Sequence, residues 1–331
     1  MSLRIMKNGL LDTIQDRGRY GYQHLGINPG GAMDITAMRI ANALTGNQLN
    51  EAVLEMHFPA AEILFQEALL IALSGADFSA TINSEEVPLL QPLIVQRGAT
   101  LRFNKHKTGA RAYLAVQGGF VAKEWLHSNS THLILQAGGF EGRALQKNDL
   151  LLLKKNDPYP FLKTDNAFEK LPWKAKMSDL YVKDNFQFVR GAEYECLDEL
   201  SKQQLETTSF IIHPQSDRMG YRLQGESLRR RDKKELLSTA VTKGTMQLLP
   251  DGQLIILMAD HQTTGGYPRV GHIITANIPS LAQMRAGEKF TLQKVTIDTA
   301  ENKLLEQERN LQQLQNACNF RLQQYFNTNN T

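Results

Sequence analysis

At 331 residues the chain is long enough for about two ordinary domains of roughly 100–200 residues each. Hydrophobic residues make up 42% and charged residues 21%, which excludes collagen-like, low-complexity and wholly disordered classes. Thirty-seven Lys and Arg against 34 Asp and Glu leave a formal charge of +3, too balanced to draw a polyanion by bulk charge, so no nucleic-acid partner is expected.

The first eleven residues carry Arg4, Lys7 and Asn8 and no apolar h-region, so no signal peptide is expected and the cytoplasm is the default location. The longest apolar runs fall far short of the roughly 18 residues a spanning helix needs, so no membrane partner is expected either. Cys196 and Cys318 are the only cysteines, which rules out a disulfide framework and a multi-cysteine zinc site.

Along the chain, Gln15-Asp16-Arg17-Gly18-Arg19-Tyr20-Gly21 follows a short strand-like start. It reads either as a turn stapled by an Asp–Arg pair or as a guanidinium fork for a carboxylate or phosphate. Asn28 to Met33 form a glycine-rich entry to a helix over 35–45, with Asp34 as N-cap and Gly46 just past the end. Ala37, Ile40, Ala41 and Leu44 give that helix one apolar face. Residues 62–65, 69–73, 100–103 and 111–116 read as strands, rich in β-branched or aromatic residues and bounded by Gly, Asp, Asn or Pro. His127 and His132 are five apart, a spacing that suits neither a helix face nor alternate strand positions, so two surface histidines are expected rather than a metal pair.

Residues 154–179 hold Pro158, Pro160 and Pro172 among charges, with neither period, and read as an inter-domain connection. Strand texture returns at 186–190, 210–213, 253–258, 269–276 and 289–295. The run Arg229 to Lys234 reads as a solvated loop, since no aromatic is interleaved for base stacking. A short helix is expected from Pro279, and a long one over 299–326, free of Gly and Pro, with Leu304, Leu311, Cys318 and Tyr325 seven apart. The organisation expected is an N-terminal β-barrel domain at 1–155, a linker at 156–178, a second β-barrel domain at 179–298 and a C-terminal helix at 299–331. Runs of strands argue against a doubly wound sheet and for closed or partly closed barrels.

The sequence holds no P-loop, dinucleotide fingerprint, zincin or serine-hydrolase motif. What remains is polar clusters. The densest is Met258-Ala259-Asp260-His261-Gln262-Thr263-Thr264-Gly265-Gly266-Tyr267-Pro268-Arg269, delivered by an apolar strand, and such density is costly unless every group finds a partner. Ser216-Asp217-Arg218-Met219-Gly220-Tyr221-Arg222 is a smaller version, readable as an internal ion pair or as a ligand clamp.

These clusters, with Gly30-Gly31-Ala32-Met33-Asp34, Tyr113 to Gly119, Gly138 to Arg143 and Gly244 to Gln247, make the chain resemble the biotin-dependent carboxyltransferase family, also called allophanate hydrolase subunit 2. The resemblance runs from about Gly9 to Val295. It implies a mainly β fold of two tandem cyclophilin-like barrels. Stand-alone members of the family serve as the C subunit of 5-oxoprolinase, with a B subunit and a third subunit, in ATP-dependent opening of 5-oxo-L-proline to L-glutamate. The resemblance therefore implies a small-molecule substrate, ATP with its Mg²⁺, and a 5-oxoprolinase B-subunit homologue and third subunit as partners, with no activity for this chain alone. Other family roles are the carboxyltransferase part of a urea-type carboxylase and a KipA-like regulator that binds a kinase-inhibitor partner. No biotin-acceptor Met-Lys-Met is present, so no bound biotin is expected.

Residue type and family motif together give expected roles. Asp260 is the candidate base, with Gln262 and Tyr267 beside it in catalysis. Arg19 and Arg218 are candidate forks for the substrate carboxylate, and Asp16, Gln247, Thr263, Thr264 and Gly265 complete the expected binding set. One departure stands out: many family members read Leu-Gly-Ser-Arg-Ser-Thr where this chain reads Leu126-His127-Ser128-Asn129-Ser130-Thr131.

Overall fold

The computed structural model describes residues 2–154, 166–176, 180–231 and 236–329. Its chain divides into two units, one of Met1–Arg19, Asp34–Lys176 and Arg309–Thr331, the other of Tyr20–Met33 and Met177–Glu308.

In the first unit, two six-stranded sheets enclose one core. Alternation within the strand Leu69–Asp77 sorts its side chains: Leu69, Ile71 and Leu73 enter that core, while Leu70 faces the other way and meets Ile94, Leu171, Leu322 and Phe326. The same outer face receives the helix Ile35–Leu44, whose Ala37 carbonyl accepts from the Ser74 hydroxyl at 2.6 Å. Asp34 caps that helix by accepting the Ala37 N–H at 2.8 Å, and Gly46, at φ 73°, takes the left-handed turn past its end. Of the stretch expected as a linker, residues 155–165 and 177–179 lie outside the described residues. Between them, Phe168–Lys170 is a strand paired with Pro92–Val95, because Phe168 and Leu171 have apolar surface to bury.

The second unit is a closed seven-stranded barrel, ordered Asn185–Arg190, Arg269–Ile273, Thr245–Leu248, Leu254–Leu257, Gly220–Gln224, Ser209–Ile212 and Lys289–Lys294. The last strand pairs in parallel with the first to complete the circle, leaving no open edge. Phe186, Phe188, Phe210, Met246, Ile256 and Phe290 fill the interior. The mainly β fold with few helices is thus the expected one. One helix escapes the periodicity, Glu199–Thr207, because only Ser201 and Leu205 bury on it; Asp198 caps it by accepting the Ser201 N–H at 2.7 Å. The C-terminal helix runs over Ile297–Asn329, a little longer than its apolar heptads, and Leu322 and Phe326 near its end are buried.

Asp12 carries a pH consequence. Its carboxylate is 1% exposed and accepts N–H groups from Ala61 at 2.9 Å, Gly9 at 3.1 Å and His57 at 3.4 Å. Burial outweighs those bonds and pushes its pKa up to about 7. Raised in the folded state, this group contributes most below the unfolded value of about 4, and its contribution is lost as pH rises to about 7. Chemical denaturation across that window should show stability falling by up to about 1.4 kcal/mol per pH unit from this group. Asp12→Asn should remove that slope.

Candidate functional site

In the closed barrel, inward residues alternate with outward ones, and the register fixes which outward residues are neighbours. Arg222 and Gln247 are each paired with Ile255, so the three form one row across three adjacent strands. Their sequence neighbours Tyr221, Leu223, Met246, Leu248, Leu254 and Ile256 all lie in the core, which sends the row to the outer face. On that row sits a cavity of about 530 Å³, walled by the turn carrying Gln215, Asp217 and Met219, by Leu249 to Asp251, and by Gln262 and Tyr267. Gln247 is fully buried at its base; its Oε1 accepts from Gln262 Nε2 at 3.3 Å, and its Nε2 reaches the Tyr267 carbonyl at 3.4 Å.

Two glycines shape this place. A Cβ on Gly220 would come within 2.8 Å of the Ile255 side chain and 3.3 Å of the Ile256 carbonyl, and one on Gly265 within 2.6 Å of Gln247 Nε2. Gly265 therefore belongs to the site by what it leaves open. Thr263 and Thr264 lie outside the wall: the Thr263 carbonyl accepts the Val241 N–H, and Thr264–Gly265 pairs with Thr239–Ala240 as a two-stranded ladder.

Arg218 and Asp260, expected as separate fork and base, are bonded to each other. Arg218 Nε meets Asp260 Oδ2 at 2.7 Å and Nη2 meets Oδ1 at 3.1 Å, a bidentate pair whose Nη2 also donates to the Gly31 carbonyl at 2.8 Å. Asn28 Nδ2 donates to the Asp260 carbonyl at 2.9 Å, and Lys243 Nζ donates to the carbonyls of Ala32 and Met33 at 3.1 and 2.8 Å. The glycine-rich segment of Tyr20–Met33 is thus held by charged side chains of the barrel. Beside it His261, with Nδ1 2.5 Å from the Gln262 carbonyl oxygen, and His272 are both kept below the ordinary histidine range by burial.

Asp16 and Arg19 belong to the first unit and organise one loop. Asp16 Oδ1 accepts from the hydroxyls of Ser128 at 2.7 Å and Ser130 at 2.5 Å and from the Gly18 N–H, while Oδ2 accepts the Asn129 N–H at 2.6 Å. Arg19 donates to the Ser130 carbonyl and lies 4.8 Å from the centre of the Trp125 ring. The turn is held by Asp16 on serine hydroxyls and backbone N–H groups and by Arg19 on a backbone carbonyl, partners that the expected Asp–Arg staple does not include. The basic loop is described only at Arg229, Arg230 and Arg231; Asp232, Lys233 and Lys234 lie outside the described residues.

Asp217 and Arg222 of the wall fall in the cluster that reads as an ion pair or a ligand clamp, without a role of their own, and Asp251 carries no signal in the sequence. The signal was available for Arg222: flanked by apolar Tyr221 and Leu223 on a strand, it has to face away from the core.

The cavity thus lies on the outer face of a closed barrel, between polar turns. The family model "Carboxyltransferase domain, subdomain A and B" matches residues 25–294, and the chain belongs to this family. The 5-oxoprolinase C subunit of Haemophilus influenzae is 35% identical over 288 residues, 87% of this chain and 89% of that one. The Escherichia coli protein of the same name is 35% identical over 312 residues, 94% of this chain and 97% of its own. Among solved structures, the K. lactis urea amidolyase superposes with a TM-score of 0.86 at 24% identity over 95% of this chain, which spans only 20% of that much longer one.

Two substitutions test the framework. Asp260→Asn leaves a nearly buried guanidinium half-paired and should lower stability by about 2–4 kcal/mol in thermal or urea unfolding, with part of the loss recovered in Arg218→Met/Asp260→Asn. His127 has a left-handed φ of 59°, a conformation that favours glycine. His127→Gly should therefore raise stability by about 1 kcal/mol in the same measurements.

Proposed function

We propose that this chain is the C subunit of a 5-oxoprolinase, acting with a B-subunit homologue and a third subunit in the ATP-dependent hydrolysis of 5-oxo-L-proline to L-glutamate in the cytoplasm. The reading is supported by two relatives of that name along nearly the whole chain. The observation that carries it is the carboxamide lining of the barrel cavity. Gln262, oriented by the buried Gln247, keeps its Oε1 and a second Nε2 hydrogen at the wall, an acceptor and a donor that match the N–H and C=O of a cyclic amide.

A lactam resists water because nitrogen lone-pair resonance strengthens the amide. Opening it requires charge withdrawn from the ring oxygen and a directed water. On this chain the carboxamides hold the ring, and Tyr267 closes the wall. Asp260 acts through Arg218 as a positioning residue for the 28–33 segment. Asp217, tied at Oδ1 to the N–H groups of Met219 and Gly220, is one of two carboxylates at the cavity wall, with Asp251, and takes the role of base.

The described residues offer a triphosphate a poor fit. Asp34 already occupies the N-terminus of the helix Ile35–Leu44, and the cavity wall holds two carboxylates and one guanidinium. We place ATP and its Mg²⁺ on the other two proteins of the assembly.

The decisive assay mixes the purified chain with its B-subunit and third-subunit homologues and follows glutamate release. Release should require ATP, 5-oxo-L-proline and all three proteins. Asp217→Asn should cost about 10²–10⁴ in turnover, the usual range for a lost general base. Failure of the complete mixture to release glutamate, or release by this chain alone, would overturn the proposal.

A further inference from the structure

A lactam pocket becomes a pocket for an amino-acid-derived lactam only if something in it binds a carboxylate. The two arginines that residue type singled out do not meet that need. Arg19, bonded through Nη2 to the Ser130 carbonyl and set against the Trp125 ring, is not among the residues lining the cavity, and neither is Arg218, which is bonded to Asp260 and Gly31. Arg222 differs from both. It is the one cation among the described residues lining the cavity, its side chain is exposed, and its guanidinium forms no ion pair among the described residues.

Both carboxylates of the same wall are tied to their own turns: Asp217 Oδ1 takes two backbone N–H groups, and Asp251 Oδ1 takes the Gln253 N–H at 2.9 Å. Arg222 and Gln247 stand two strands apart in one register row, about 10 Å between backbones at the usual strand spacing. Across that gap lies only the apolar side chain of Ile255, with Gly220 contributing no side chain above it. A flat five-membered ring lies comfortably on such a floor, its amide toward Gln247 and Gln262 and its carboxylate toward the far strand.

We infer that Arg222 binds the carboxylate of the substrate and so sets the specificity of this pocket for a small cyclic amide that bears one. The inference rests on the lactam reading above and goes beyond it by assigning the acid-binding residue and the orientation of the ring. Arg222 presents the planar fork that matches a carboxylate with two parallel hydrogen bonds.

The test uses the complete three-protein assembly with Arg222→Gln and Arg222→Lys, neither of which removes a packed core group. Arg222→Gln should raise KM for 5-oxo-L-proline by about 10- to 100-fold, the range for a lost hydrogen bond to a charged group, with kcat and the KM for ATP near wild type. Arg222→Lys should fall between. Preference for 5-oxo-L-proline over neutral 5-oxoprolinamide should collapse in Arg222→Gln. A wild-type assembly that turns over 5-oxo-L-proline alongside an Arg222→Gln assembly of unchanged KM and preference would overturn the assignment. If the wild-type assembly releases no glutamate, it is the reaction that has been misread. Calorimetric titration of the same assembly with 5-oxo-L-proline then decides the site by itself. Binding lost in Arg222→Gln supports the assignment, and binding that is absent or equal in both overturns it.

Discussion

Everything about the site depends on the two-residue period of a closed sheet. Once Tyr221, Leu223, Met246, Leu248, Leu254 and Ile256 are committed to the barrel interior, Arg222, Ile255 and Gln247 have no choice but to align outside it. A slip of one residue in any of these pairings would drive a guanidinium or a carboxamide into a core of phenylalanines, at a cost of several kcal/mol. The hydrophobic energy that folds the barrel is therefore the same energy that holds the polar row in register. The site needs no dedicated scaffold of its own.

The turns above that row are held by charge rather than by apolar packing. A nearly buried ion pair such as Arg218–Asp260 adds little net stability, because desolvation cancels most of the attraction. What it does add is direction. Two parallel bonds fix the plane of the guanidinium, and the second N–H of Nη2 then fixes the Gly31 carbonyl. Asn28 and Lys243 repeat the device with backbone carbonyls of the same segment. Gly30 and Gly31, at φ 61° and 87°, supply the backbone freedom that lets those carbonyls turn toward the barrel.

The sequence was legible where local chemistry and periodicity agreed. The helix at Ile35–Leu44 combines a capping aspartate, one apolar face and a terminal glycine, and the strands of both units carry dense β-branched and aromatic residues. Legibility failed where partners are distant in sequence. Arg218 and Asp260 each look like a free functional group in isolation, and only the barrel, by pairing Gly220 with Leu257, brings their turns together. Asp16 is similar: its hydroxyl partners sit more than a hundred residues away in a stretch that reads as a degraded motif. The helix Glu199–Thr207 was missed for a different reason, since a surface helix with two buried residues leaves almost no period to detect.

The division of the chain has an architectural consequence. The backbone passes from one unit to the other after Arg19, after Met33, after Lys176 and after Glu308, so neither unit is a continuous stretch of sequence. No single cut yields either one whole. A fragment holding only the N-terminal half would carry Met33 away from the barrel core it fills, and one holding only the C-terminal half would separate Leu322 and Phe326 from the sheet they cover. Limited proteolysis within the chain therefore always severs the sequence of at least one unit from part of itself.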